Sequence, residues 1–267
     1  MKGLLAYILY QFKSNKKYRM NNVMTIMSTF IAIVIQYYIW TYVEKTNGMN
    51  TQQIIIYSMF ALTLSSLLPL FSSADFMNHI ILKGTIANYL QRPQMLFLVN
   101  SSIQMGNSVY KMIYRIIPIW VIYVIFFKIN LMTVNSVLLL ALLSLCLSWI
   151  LSLIVGHIIG LLSPYLISIN GTKSLISGLI LLLGGGVLPI DIYPEPLKLI
   201  VLKLPFVALQ YFPSAILSGS QFFSYTSALL IQLCWILFFL LVLFILQKRV
   251  YSKLEIMGGE HDDSFVK

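Results

Sequence analysis

Eight carboxylates are the first groups to weigh for chemistry: Glu44, Asp75, Asp191, Glu195, Glu255, Glu260, Asp262 and Asp263. A carboxylate inside an apolar segment is the usual site for a driving proton or sodium ion. All eight are expected in loops, in tails or at the ends of apolar runs, which argues against an ion-driven carrier. His157 is the one histidine deep in an apolar run. Ser152 or Ser163 could be its nucleophile in a membrane hydrolase, but no G-x-S-x-G turn accompanies them. A packed, neutral histidine bonded across helices is the preferred reading, with His79 and His261 solvated. The string Gly171-Thr172-Lys173-Ser174 lacks the first glycine of a phosphate loop and the strand before it, and there is no H-E-x-x-H zinc motif. Cys146 and Cys234 form no metal or disulfide framework and are expected as buried thiols. Catalytic and metal-ligating residues are therefore none.

The elements that carry these groups are membrane elements. The chain has 267 residues, 59% hydrophobic and only 10% charged, against about 25% charged in soluble domains. The expected fold is an all-α integral membrane protein with six transmembrane helices, residues 1–267 forming one domain. Residues 1–20 read as an amphipathic interfacial helix, with Leu4, Leu5, Ile8 and Phe12 opposite Lys2, Gln11, Lys13 and Lys16. Residues 21–249 form the six-span core and 250–267 a tail. Runs of ~20 apolar residues place spans near Val23–Val43, Ile54–Ala74, Ile103–Phe127, Ser136–Leu162, Ser174–Leu188 and Thr226–Leu246. The longest polar stretch, Asp75 to Arg115, separates the second and third. Lys111 and Arg115 would sit low in the third span and reach back to the interface.

Charge sets the orientation. With six spans and a cytoplasmic N-terminus, only Lys45, Lys128, Lys198 and Lys203 lie outside; the other fourteen of the eighteen Lys and Arg lie inside. The net charge of +10 is thus a topology signal, and nucleic acid is not expected as a partner. The same count bears on Gly184–Ser220, which holds Gly184, Gly185, Gly186 and five of the chain's nine prolines: Pro189, Pro194, Pro196, Pro205 and Pro213. A full crossing at 197–217 would put the C-terminal basic cluster outside. An extracellular re-entrant helical segment between helices 5 and 6 is expected instead, an outer gate shaped by Gly184, Gly185, Gly186, Pro189, Pro194, Pro205 and Pro213.

Ser144, Ser148, Ser152, Gly156 and Gly160 recur every four residues in the fourth span. Small residues at that interval let helices approach closely, so a packing stripe is preferred to a substrate lining. Nothing in the chain supplies energy, so a nucleotide-burning partner needs a docking surface. The loop Lys83–Pro93, with Gly84 and Pro93 bracketing about two helical turns around Tyr89, Leu90 and Arg92, is the candidate.

Three segments carry a family resemblance: the basic start followed by YRMNNVMTIMSTF, ILKGTIANYLQRPQ after the second span, and GGGVLPIDIYPEPLKLIVLKLPFVALQYFPSAILSG before the last. In their order and spacing the chain resembles the membrane (permease) subunits of bacterial ABC transporters of the second exporter class, in the small branch often encoded as adjacent pairs. The resemblance implies a non-catalytic permease in the bacterial plasma membrane with both termini cytoplasmic. It implies a second permease subunit, identical or paralogous, and two ATPase subunits that bind ATP and Mg. Coupling helices in Lys83–Pro93 and re-entrant outer helices are also implied. Hydrophobic or amphipathic cargo fits such a wall: peptide antibiotics, drugs or lipids. A flippase for lipid-linked glycans of the same fold, or a non-transporting immunity or sensor protein, are the alternatives.

Overall fold

Prolines and glycines decide where the apolar helices stop. The computed structural model describes residues 2–47, 52–86, 89, 95–127, 137–166, 168–186, 188–219 and 223–259, and among these no residue is in a strand. The helices are α1 (Lys2–Asn15), α2 (Arg19–Asn47), α3 (Gln52–Ser65), α4 (Leu70–Leu82), α5 (Leu96–Lys111), α6 (Ile117–Phe127), α7 (Leu138–Leu161), α8 (Ile169–Leu183), α9 (Glu195–Val201), α10 (Pro205–Leu217) and α11 (Tyr225–Gly259). Five stretches are long and apolar enough to cross a membrane: Met20–Val43, Gln53–Leu82, Leu96–Phe126, Leu138–Leu161 and Tyr225–Val250.

The polar stretch expected as a loop is mostly helix. The second span runs on to Leu82 and the third begins at Leu96, well before Ile103. Their lower halves are polar because they face each other and α1 rather than lipid. Asp75 therefore sits on α4, not in a loop, and pairs with Lys173 at 2.6 Å. Two irregularities interrupt the expected spans. Between α3 and α4 the helix opens at Ser66–Leu68, because Pro69 has no N–H and disfavours helix just before it. Between α5 and α6, residues Met112–Ile116 form a π-turn in which the Ile117 amide bonds the Met112 carbonyl. Pro118 cannot bond Tyr114, and the widened turn accommodates that loss.

α7 is the hub, packed against α4, α10 and α11. α10 is buried from Val207 to Leu217, although it is only 13 residues long. α8 is the opposite case: none of its residues is buried. The expected burial of the two thiols is corrected, since Cys146 and Cys234 are both free and exposed. They sit on the outward apolar faces of α7 and α11, where a small apolar side chain suits lipid as well as it suits a core.

Candidate functional site

The stripe on α7 sits within the subunit at three helix contacts. Gly156 and Gly160 meet α4: a β-carbon on Gly156 would lie 2.1 Å from the Leu70 carbonyl oxygen, and one on Gly160 would lie 2.3 Å from Met77 Cβ. Ser148 donates to the Ala208 carbonyl of α10 at 2.8 Å. Ser144 donates to Gln232 Oε1 of α11 at 3.0 Å, and Gln232 Nε2 lies 2.9 Å from the Ala208 carbonyl and 2.8 Å from Ser148 Oγ. Gln232 is fully buried. It is a lone amide in an apolar run, and that isolation was the one signal that could have singled it out. Ser152 bonds only its own helix, at the Trp149 carbonyl.

The glycine-rich turn after α8 is tied to the second span. Gly185 has φ +73°, a conformation cheap only for glycine. Its carbonyl accepts from the buried Tyr57 hydroxyl at 2.6 Å. Gly184 and Gly186 complete the turn. Pro189 then opens a short 3-10 turn, and Tyr211 of α10 donates to Asp191 within that turn at 2.5 Å. Tyr193 donates back to the Leu182 carbonyl at 2.5 Å. Pro194 caps α9, and Pro205 begins α10 at the first-turn position where a missing N–H costs nothing. α9 and α10 meet at 104°. Pro213 lies inside α10. Further along, Gln210 of α10 donates to the Ala61 carbonyl at 3.1 Å and Gln53 to the Ser218 carbonyl at 3.3 Å.

A cavity of about 260 Å³ opens between the α3–α4 break, α7, α8 and α10. Its wall is mostly aliphatic, with Ser65, Ser152, Ser177 and Gln210 as the polar points.

A polar ladder crosses the end of the bundle that carries both termini. Gln11 of α1 donates to Asn107 at 2.9 Å, and Asn107 donates to Gln104 at 3.1 Å. Gln104 donates to Asn100 at 3.1 Å and accepts from Ser72 at 2.7 Å. The Asn100 amide nitrogen reaches Ser73 at 2.8 Å and His157 Nδ1 at 3.0 Å. The Gln247 amide nitrogen lies 3.3 Å from His157 Nε2, so each ring nitrogen faces an amide, and whichever nitrogen lacks the proton accepts. His157 is thus packed and in polar contact across helices with Asn100 and Gln247, and no serine among the described residues is its partner. The spacing Asn100, Gln104, Asn107 marks one face of a helix and could have announced the ladder. Gly106 lets α1 in: a β-carbon there would meet the Ile8 carbonyl at 2.5 Å.

Of the loop Lys83–Pro93, Gly84 takes φ +67° just past α4, Lys83 is exposed, and Tyr89 packs its ring edge-on against Phe76. Leu90, Arg92 and Pro93 lie outside the described residues. No group of three or more His, Cys, Asp or Glu among the described residues could hold a metal.

The deciding observation is a match over nearly the whole chain: the sequence model of the ABC-2 family transporter proteins fits residues 23–258. This chain belongs to the ABC-2 family. No curated protein matches it. Members of the ABC-2 family are membrane permease components of ABC transporters, whose ATPase resides in a partner subunit. The several apolar helices agree with a multi-pass membrane protein.

Proposed function

We propose that this ABC-2 protein is the permease subunit of an ATP-driven exporter for a hydrophobic or amphipathic molecule, a peptide antibiotic, drug or lipid. Residues 1–267 act as one membrane domain in the bacterial plasma membrane, with both termini cytoplasmic. A second permease copy or paralogue completes the pathway, and two ATPase subunits, which hold ATP and Mg, dock at the end carrying the termini. The observation that carries the reading is the right-angled pair α9–α10. Two short helices bent by 104° are a poor anchor but a good plug, and irregular backbone at membrane depth is tolerated where protein covers it. The ties from Tyr57, Gln53 and Gln210 make this re-entrant pair move with the second span, whose other end leads into Lys83–Pro93. Closure of the ATPases would push that loop, shift α4 and α3, and so open the outer end. The cavity between the α3–α4 break and α10 is this chain's share of the pathway.

The deciding experiment is ATP-dependent efflux from proteoliposomes holding the chain with its co-purified ATPase. Efflux that requires ATP supports the reading; binding of a toxin without transport would replace it with an immunity or sensor role. Two narrower results are expected. Leu90→Asp with Arg92→Asp should abolish co-purification of the ATPase, and an intact complex rules the loop out as its dock. Lys203 and Ser224 flank α10 and are exposed, whereas Lys198 and Ser218 are buried and would label poorly. Single cysteines at 203 and 224, with Cys146 and Cys234 replaced by alanine, should both react from outside; opposite-side labelling would make α10 a crossing helix.

A further inference from the structure

Three cations, Lys111, Arg115 and Lys16, lie about the π-turn and the corner of α1 and α2, and no carboxylate among the described residues forms an ion pair with any of them. Lys111 and Arg115 stand four residues apart across the π-turn, an arrangement of like charges that repels. Each keeps spare hydrogen-bonding capacity. Lys111 donates to the Ser66 carbonyl freed by the α3–α4 break, at 2.9 Å, and an ammonium carries three donors. Arg115 donates through Nη2 to Asn22 at 2.9 Å, while its Nε is buried and has no partner. Asn22 in turn donates to Tyr110. The third cation, Lys16 at the corner between α1 and α2, is exposed and lies 5.8 Å from the Tyr114 ring and 5.2 Å from that of Phe12.

The level of this cluster decides the ligand. Asn22 is the third residue of the first apolar span, Met20–Val43, so Arg115 sits at that span's boundary. Phe30 of α2 packs on Phe126 of α6, so α2 and the third span run parallel, and Lys111, four residues before Arg115, lies further toward the end carrying the termini. The Arg115 guanidinium, held at Asn22, and the exposed Lys16 beside Tyr114 thus stand at the terminal-end edge of the first span, where the headgroups begin. The exposed Lys13 and Lys17 add positive potential at the same edge. Uncompensated cations between helices at headgroup depth suit an anionic lipid phosphate.

We infer that Lys111, Arg115 and Lys16 form a site for the phosphate of an anionic membrane lipid, held at the corner where α1 joins α2 and the π-turn. The phosphate accepts from the unused Arg115 and Lys111 donors, Lys16 closes over it, and the acyl chains lie along the exposed faces of α2 and α6. The site does not depend on what the protein transports.

The test uses the full-length chain, with any co-purifying subunits, in neutral detergent. Retained lipid is counted by native mass spectrometry as phosphatidylglycerol or phosphatidylcholine of matched chains is added, and a parallel arm adds inorganic phosphate and follows the unfolding temperature. The wild-type chain should prefer phosphatidylglycerol. Lys111→Gln with Arg115→Gln should weaken that binding by about thirtyfold, roughly fivefold per charge. Lys248→Gln with Arg249→Gln removes the same charge from exposed positions at the same end and should change little. Lys16→Gln, at an exposed position that does not threaten folding, should cost about fivefold and decides the matter if the double variant misfolds. Unchanged lipid preference in either site variant overturns the proposal, as does an equal loss in the control. Stabilisation by inorganic phosphate equal to that by the lipid assigns a soluble anion and overturns the lipid assignment.

Discussion

Replacing Gly156 by alanine should separate α4 from α7 and leave little folded protein. The new methyl would lie 2.1 Å from the Leu70 carbonyl oxygen and 3.0 Å from Ser73 Cβ. Both belong to α4, so no flexible side chain can step aside and the helix itself must shift. Overpacking of this kind costs about 1–3 kcal/mol when the surroundings can relax, and here the shift also pulls Ser73 from Asn100 and strains the contact to His157. The measurement is the unfolding temperature of the purified chain in detergent. Gly156→Ala should lose many degrees or fail to accumulate. Gly178→Ala, which meets nothing within 4 Å, should be neutral. Equal stability of the two would show that the α4–α7 contact is looser than the structure has it.

The second large effect is expected at Gly185. Alanine there would hold φ +73° and bring a methyl 2.5 Å from the Tyr57 hydroxyl. The left-handed backbone costs about 1–2 kcal/mol for a residue with a β-carbon. The displaced Tyr57 then leaves a buried hydroxyl and carbonyl unpaired, at roughly 1–3 kcal/mol. Tyr57→Phe removes only the hydrogen bond and serves as the graded comparison. If the turn holds the outer gate shut, both variants should raise ATP-independent leak of the transported molecule, Gly185→Ala the more. Lower stability with unaltered leak would confine the tie to a structural role.

Much of the architecture was legible in the sequence because lipid imposes a simple rule: long apolar runs become helices. What the rule obscures is polar surface that faces protein. Asn100, Gln104 and Asn107 lowered the local hydropathy and made a helix look like a loop, although helical spacing was visible in the residues themselves. Pro69 lies inside an apolar run that reads as one span, and Pro118 gives no sign of the π-turn before it. The small-residue stripe could be read from its interval of four. Its partners could not, because spacing on one helix does not say which helix arrives, and the approach to α4 depends on where Pro69 lets that helix begin. Cys146 and Cys234 differ from the expected burial for a related reason: in a membrane chain apolar surroundings are as often lipid as core. The pairing of Tyr57 with Gly185 spans 128 positions in sequence and leaves no periodic trace.

α8 has 15 residues and so rises about 22 Å, against a hydrocarbon layer of ~30 Å. Leu175 and Leu182 point outward from it. Lipid tails beside this helix must shorten to match it, or a neighbouring protein must take their place. Around most of the bundle the bilayer meets helices of its own thickness. At α8 it meets a notch, and a notch costs less to cover in a thin membrane than in a thick one.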